Sequence, residues 1–399
     1  MINIRTITYN LPKKFGKIEF DIMDKCINEW NKNKYLIRTT RISTVPINTI
    51  PKDNYYDPLE EFCDNHNINW YSIPVNLNSK KQNELIDFSY NMIKTREKVF
   101  INIDGAKDSN MYFDVIDKYI DLMNKVAHIS ENGKDNFRLG LSINTIEDEP
   151  FFPFAKSSGI FSFTIGLELT QEINKIIDEN SNCNFEELRK KIITKIDKQI
   201  TEIEKYAEKV SRKYHIQFKG FDFSLAPYME ENGSIIELIE KLGIKVFDGP
   251  GIMFVTSFLT NILKSFGNKH KKIGFSGVMY SLLEDYKLCE INNNKAIYLE
   301  DLIKLSTMCG CGIDMIPIKD SVSKEVLKSY ILDIAAISCR LEKPLGVRFL
   351  PIPNNPEYTS LNEFSNFITN TKLVKLNKNT LITNGIKEFK FLDINKTVL

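Results

Sequence analysis

Ile2-Asn-Ile-Arg-Thr-Ile-Thr-Tyr9 alternates apolar and polar side chains and reads as a strand. Phe20–Lys32 then switches to helical spacing, with Ile22, Met23, Cys26, Ile27 and Trp30 on one face. Tyr35-Leu-Ile-Arg-Thr-Thr-Arg-Ile-Ser43 returns to a strand. Strand, helix, strand is the unit that lets two strands lie parallel, because a parallel pair needs a crossover long enough to carry the chain back. The order is α/β, and it repeats.

A Pro-punctuated loop from Val45 to Pro58 leads to a helix over Leu59–Asn65, a strand over Asn69–Val75, a helix over Lys81–Arg96 and a strand over Lys98–Ile103. Met111–Ile129 and Phe137–Ile143 add another helix and strand. The longest helix spans Phe185–Tyr214, where apolar residues recur every three or four positions and Asn184 with Glu187 forms the N-terminal cap. Its opposite face is dense in Lys and Glu, so it is expected to pack on its own domain rather than to form a coiled-coil seam. Further strands are expected over Gln217–Asp222, Lys245–Phe247, Lys272–Phe275 and Gly346–Leu350, with helices over Ser234–Leu242, Ile252–Ser265, Leu299–Met308 and Lys324–Leu341. After Pro351-Ile-Pro353 the alternation stops. With no linker composition anywhere, residues 1–399 read as a single domain whose stretch 354–399 is a peripheral C-terminal extension.

Composition narrows the function classes. Lys+Arg 53 against Asp+Glu 52 leaves a net charge of +1, which steers neither toward nucleic acid nor toward an anionic membrane. No apolar run approaches the ~18 residues that would span a bilayer. The chain enters a strand straight from Met1 without a signal peptide, and its seven cysteines are scattered, so a cytoplasmic protein with reduced thiols is expected.

Chemistry concentrates between Phe218 and Pro317, where glycines mark the element junctions. In Gly220-Phe-Asp-Phe-Ser-Leu-Ala-Pro227, Asp222 and Ser224 lie on one side of a strand end, as a two-residue period requires. Together they can bind a metal, a substrate hydroxyl or a proton in transit; the plain alternative is a carboxylate capping the next turn. Gly249-Pro-Gly251 before an apolar helix offers free N–H groups to an anion, but it is neither a Walker loop nor a dinucleotide fingerprint. Ser276, between Gly274 and Gly277, exposes a hydroxyl but lacks the spacing of a nucleophile elbow. Glu284 is the better placed of the adjacent pair Glu284-Asp285 to meet Asp222 across the sheet, as acid and base or as two ligands of a divalent cation. Cys309-Gly-Cys311 is one residue too tight for a zinc pair; Cys309 reads as a thiolate candidate or a small loop filler. Asp314 precedes a strand-like Met315–Ile318, Glu168 ends another strand, and Arg41 and Arg348 are strand arginines that need anionic partners. Glu147-Asp-Glu-Pro150 reads as an acidic turn, and the four histidines as surface or helix-terminal residues.

Gly220–Pro227, Gly249-Pro-Gly251, Gly274-Phe-Ser-Gly-Val278 with Leu283-Glu-Asp285, and Cys309-Gly-Cys-Gly-Ile-Asp314 occur in an order that resembles the domain of unknown function 711 family, whose members are often labelled "PFL family protein". The likeness is strongest from about Gly140 to Pro353. It implies a ten-stranded α/β barrel resembling pyruvate formate-lyase, made of two parallel half-sheets. It does not carry radical chemistry over, because Gly346 and Gly385 lack the glycyl-radical context.

The expectation is therefore a non-radical enzyme acting on a small anionic metabolite. Asp222, Glu284, Asp314 and Cys309 would be its catalytic groups, Asp222 and Glu284 would take any divalent cation, and Arg41, Glu168, Ser224, Gly249, Gly251, Ser276 and Arg348 would bind substrate. The alternative is a small-molecule-binding or regulatory protein on a degenerate barrel. Partners are a small-molecule substrate and, if assembled, further copies of the chain.

Overall fold

The computed structural model describes residues 2–77, 81–107, 110–364, 366–381 and 385–390. The first half runs β1 (Asn3–Asn10), α1 (Lys17–Asn31), β2 (Ile37–Ser43), α2 (Asp57–Asn65), β3 (Trp70–Val75), α3 (Gln82–Thr95), β4 (Val99–Lys107), β5 (Asn110–Tyr112), α4 (Phe113–Ala127) and β6 (Leu139–Ile143). There follow β7 (Ser162–Glu168), α5 (Thr170–Asp178), α6 (Phe185–Tyr214), β8 (Gln217–Asp222), α7 (Ile235–Lys241), α8 (Ile252–Phe266), α9 (Tyr286–Asn294) and α10 (Leu299–Leu305). Then come β9 (Gly312–Lys319), α11 (Lys324–Leu341), β10 (Leu345–Ile352) and the short β11 (Glu388–Lys390).

The protein is mixed α/β. One continuous sheet has the order β8-β7-β1-β2-β3-β4-β6-β10-β9, with β5 and β11 paired to each other beside β4. The expectation of a largely parallel sheet needs one correction. β1, β2, β3, β4 and β6 are mutually parallel, but β7 joins β1 antiparallel and β10 joins β6 antiparallel. The chain therefore reverses at both junctions, and β7–β8 and β9–β10 are again parallel pairs.

Two expected strands are absent. Residues 245–247 form part of a turn, with Val246 half exposed and no strand partner. Lys272–Phe275 makes only isolated bridges, because Gly274 (φ +69°) and Ser276 (φ +46°) break the extended backbone a ladder needs. The segment 271–282 nevertheless touches both sheet edges. Phe221 N–H donates to Lys271 O at 2.8 Å and Met279 N–H to Leu225 O at 2.9 Å on the β8 side; Leu282 N–H donates to Asp314 O at 3.2 Å on the β9 side.

Apolar strand residues such as Ile4, Ile7, Ile73, Ile101, Leu141 and Val347 form one continuous core with the helices. Small polar residues occupy other buried strand positions, and they hold a loop. Thr8 Oγ1 donates to Pro150 O at 3.0 Å, Ser72 Oγ to Ala155 O at 2.8 Å and Asn102 Nδ2 to Phe154 O at 3.1 Å. These bonds from β1, β3 and β4 satisfy the carbonyls of residues 150–155 and draw that loop inside. Its phenylalanines then face the centre of the molecule.

Candidate functional site

Three internal segments, 149–155, 272–284 and 309–312, meet beside the sheet around a cavity with ≈ 50 Å³ of free volume. A water needs roughly 10–15 Å³ by this measure, so the space suits a few waters or one small molecule. Phe100, Phe137, Phe151, Phe152, Phe154, Phe275 and Met279 supply apolar walls, and Arg5, Arg41, Arg348, Glu284, Asp314 and Cys311 supply the polar chemistry. An adjoining cavity shares Arg5, Arg41 and Phe367 and adds Arg38, Thr39, Tyr228 and Glu230.

Backbone irregularity places these groups. The β9–β10 register slips so that Ile313 faces Val347 but Ile316 faces Phe349. Asp314 and Met315 thus oppose Arg348 alone, with Met315 at φ +56°, and this bulge turns Asp314 toward Arg348. Arg348 Nε and Nη2 reach Asp314 Oδ1 and Oδ2 at 2.6 and 2.8 Å, and Ser281 Oγ donates to Oδ2 at 3.0 Å. Arg348 Nη1 donates to Phe137 O at 3.1 Å and Nη2 also to Glu284 Oε1 at 3.3 Å. Asp314 and Arg348 are thereby spent on each other, a bidentate pair that orients Glu284. A second slip, between Ile4 and Thr6 on β1, leaves Arg5 unpaired to β7. Its Nη1 donates to Pro227 O at 2.9 Å and its Nη2 to Glu284 Oε2 at 3.3 Å. Burial raises the Glu284 carboxyl above its ordinary range, against the pull of Arg5 and Arg348.

Arg41 is different. It is 8% exposed, and its Nε donates to Thr39 Oγ1 at 3.1 Å. Its guanidinium lies between the rings of Trp70 and Phe152, 5.2 and 5.3 Å from their centroids. Among the described residues no carboxylate comes within salt-bridge distance of it and no acceptor takes its Nη hydrogens. Burial lowers its pKa to about 9, and the neighbouring Arg5 pushes the same way. Three guanidinium groups here face two carboxylates.

The other expected site residues sit elsewhere. Asp222 does not meet Glu284. Its Oδ1 accepts from Ser224 N–H at 2.6 Å and Ser276 N–H at 3.2 Å, and its Oδ2 from Phe275 N–H at 2.8 Å. The turn-capping alternative thus describes its contacts, and its carboxylate neighbour is Glu149. A Cβ on Gly274 would fall 2.2 Å from Asp222 Oδ2 and 2.6 Å from Glu149 Oε2, so only glycine fits between them and the loop. Burial pushes Asp222 up to about 6 and, with Asp222 beside it, holds Glu149 well above its ordinary value. Ser224 Oγ accepts from Gly277 N–H, and Ser276 Oγ accepts from Phe223 N–H and donates to Ile273 O, so both hydroxyls serve the loop. Glu168 is buried against Arg38, which also grips Glu230. Gly249 and Gly251 flank the start of α8 on the outside, where Asp248 pairs with Lys295. Among the described residues no three His, Cys, Asp or Glu side chains converge to hold a metal. Glu284, moreover, sits among guanidinium groups that repel a cation.

Cys309 is buried behind the wall; Cys311, two residues on, is the cysteine that lines the cavity. Arg5, Glu149 and Cys311 were not singled out from sequence. In the alternating strand Ile2–Tyr9, Arg5 reads as an ordinary polar position.

Against known proteins, a family model described as "Uncharacterised ACR (DUF711)" matches residues 4–360. The chain belongs to this family. It is 25% identical over 326 residues to a UPF0210 protein of Caldicellulosiruptor saccharolyticus, covering 78% of this chain and 71% of that protein. A UPF0210 protein of Methanocaldococcus jannaschii is 24% identical over 318 residues, 77% of this chain and 69% of that one. One from Pyrobaculum arsenaticum is 30% identical over 146 residues, 36% of this chain and 33% of that one. The DUF711 description and these names assign no reaction. No helix among the described residues is long and apolar enough to cross a membrane.

Proposed function

We propose that this DUF711 chain is a non-radical enzyme that binds a small carboxylate on Arg41 and transfers a proton through Glu284. The observation that carries the reading is the buried Arg41 guanidinium, which lines the cavity with no carboxylate at salt-bridge distance among the described residues. A buried charge is costly unless paired, so an anion entering the cavity gains what the protein does not supply. The free volume admits an acid of only a few heavy atoms. Phenylalanine walls lower the local dielectric, which strengthens both the ion pair and any proton transfer. Glu284 faces the same space, with a raised carboxyl pKa suited to acid–base work. On this reading Arg348 and Asp314 orient Glu284 and do not touch the substrate. We also read the architecture as a closed barrel of ten strands: β1, β2, β3, β4 and β6 form one parallel half, and β7, β8, segment 271–282, β9 and β10 form the other.

Calorimetric titration with acetate, glycolate and glyoxylate tests the reading. Binding is expected in the wild type and is expected to weaken by roughly 10–100-fold in Arg41→Met, the value of a charge-assisted hydrogen-bonded pair. Absence of binding by all three acids, or equal binding by Arg41→Met, would overturn it.

A further inference from the structure

We infer that Phe367, which reaches the cavity from the stretch beyond β10, sets the size of the acid admitted. Acids of the length of acetate and glycolate fit behind its ring, and longer ones do not. The inference rests on the carboxylate reading above and adds the substrate class, a two-carbon acid, with the residue that selects it.

Phe367 differs from the other phenylalanines of the wall. Phe100, Phe137, Phe151, Phe152, Phe154 and Phe275 are at most 9% exposed, whereas Phe367 is 38% exposed. Its ring therefore stands between solvent and the free volume. It also lines the adjoining cavity, with ≈ 60 Å³ of free volume, where Arg5 and Arg41 recur. Phe367 is the apolar side chain common to both spaces, and with the two arginines it forms the partition between them.

The residues that follow hold it there. Ile368 is buried in a small core with Phe100, Phe137 and Leu283. Thr369 N–H donates to Leu283 O at 2.8 Å, one residue before Glu284, and Thr369 Oγ1 lies 3.4 Å from Met229 Sδ. Asn370 Oδ1 accepts from Leu361 N–H at 2.8 Å and from Thr359 Oγ1 at 3.0 Å. The Phe367 ring meets Trp70 edge to face, with centroids 5.4 Å apart and planes at 62°. Trp70 in turn lies over Arg41, the guanidinium assigned to the carboxylate.

An acid whose carboxylate sits on Arg41 must place its carbons in the ≈ 50 Å³ among the phenylalanines. That is room for a few groups the size of water, at roughly 10–15 Å³ each. Two further methylenes have to take the place of the Phe367 ring, because the other phenylalanines are buried in close packing that does not recede. The adjoining cavity offers an alkyl chain no alternative. Arg38 lines it with Nη1 and Nη2 on Glu230 Oε1 and Oε2 at 2.5 and 2.9 Å, and burying that pair under methylenes is unfavourable. Removing the Phe367 ring opens a slot bordered by Trp70, where two methylenes gain apolar contact.

Calorimetric titration of the full-length protein with acetate and butyrate tests this. The wild type is expected to bind butyrate roughly tenfold or more weakly than acetate, as overfilling a packed space requires. Phe367→Ala is expected to tighten butyrate roughly tenfold, the value of two buried methylenes, and to leave acetate unchanged. Phe367→Leu should fall between the two. General loosening of the site would lower both affinities, so the butyrate-to-acetate ratio isolates size. Phe254→Ala, at an exposed phenylalanine of α8 outside the cavity, is expected to leave that ratio alone. Should circular dichroism show that Phe367→Ala has lost its fold, Phe367→Leu carries the measurement. A wild type that binds butyrate as tightly as acetate, or the same ratio in wild type and the Phe367 variants, overturns this inference alone. A wild type that binds neither acid overturns the carboxylate reading.

Discussion

Two pairs of carboxyl groups lie inside this molecule in opposite company. Glu284 and Asp314 share the cavity with Arg5, Arg41 and Arg348, whereas Glu149 and Asp222 face each other with backbone N–H groups as their donors. The first pair is bonded to guanidinium groups and meets free volume. The second is sealed, burial raises both of its carboxyls, and its bonds tie loop 149–155 to loop 273–279. Residue type does not separate the two pairs; their neighbours do. The same carboxyl chemistry serves a candidate site in one place and a loop clasp in the other.

The largest test of this contrast is Arg348→Met. It strands Asp314 and leaves Glu284 with one of its two cations, and removing one member of a buried ion pair costs about 3–5 kcal/mol. Arg41→Met removes a buried charge that has no carboxylate at salt-bridge distance among the described residues and fills its place with apolar surface. It is expected to change stability by less than about 1 kcal/mol, or to increase it, while weakening acetate binding. Urea unfolding of both variants beside the wild type measures the difference. Equal destabilisation would mean that Arg41 has an anionic partner and that the two arginines are equivalent.

The clasp is tested next, through pH. Glu149 has a folded pKa raised above its unfolded one, so its contribution to stability is complete below the unfolded carboxyl range and is lost as pH rises. The loss is at most about 1.4 kcal/mol per pH unit for one proton. Glu149→Gln keeps a donor toward Asp222 and removes the titration. Unfolding midpoints of wild type and variant should nearly coincide at pH 5, with Glu149→Gln the more stable at pH 8. A difference independent of pH would mean that the Glu149 carboxyl is not raised by its burial beside Asp222. Asp222, with a folded value of about 6, keeps its own downward slope between pH 4 and 6 in either protein.

What the sequence disclosed follows the range of the forces involved. The bounds of α6, α11 and β8 could be read to the residue because an amphipathic stripe and a cap are local. Glu284, Asp314, Arg41 and Arg348 could be named because charges within apolar strands and strand ends need explaining. The antiparallel junctions at β7 and β10 could not be read, since they depend on which sheet edges meet. Glu149 reads in sequence only as part of an acidic turn because the hydrogen bonds that bury its loop come from Thr8, Ser72 and Asn102 on three distant strands. His270 was misread for the same reason: it is buried, with Glu204 Oε2 2.7 Å from Nδ1 and Asp197 Oδ1 3.1 Å from Nε2, both on α6. Asp222 was joined to Glu284 by proximity along a glycine-rich stretch, and Glu149, far upstream, proved to be its neighbour.

The smallest effect separates the cavity from the glycine turn that resembled an anion cradle. Gly251 has φ +95° at the start of α8, and a Cβ there would meet Ile244 Cδ1 at 2.9 Å. Alanine must hold that left-handed conformation at about 1 kcal/mol, while the contacted atom is the flexible end of a side chain that can shift. Gly251→Ala is therefore expected to lower stability by about that amount and to leave the acetate affinity unchanged. A helix N-terminus does attract anions, so the outcome is not trivial. If acetate binding fell with Gly251→Ala but survived Arg41→Met, the anion would belong at α8 rather than in the arginine-lined cavity.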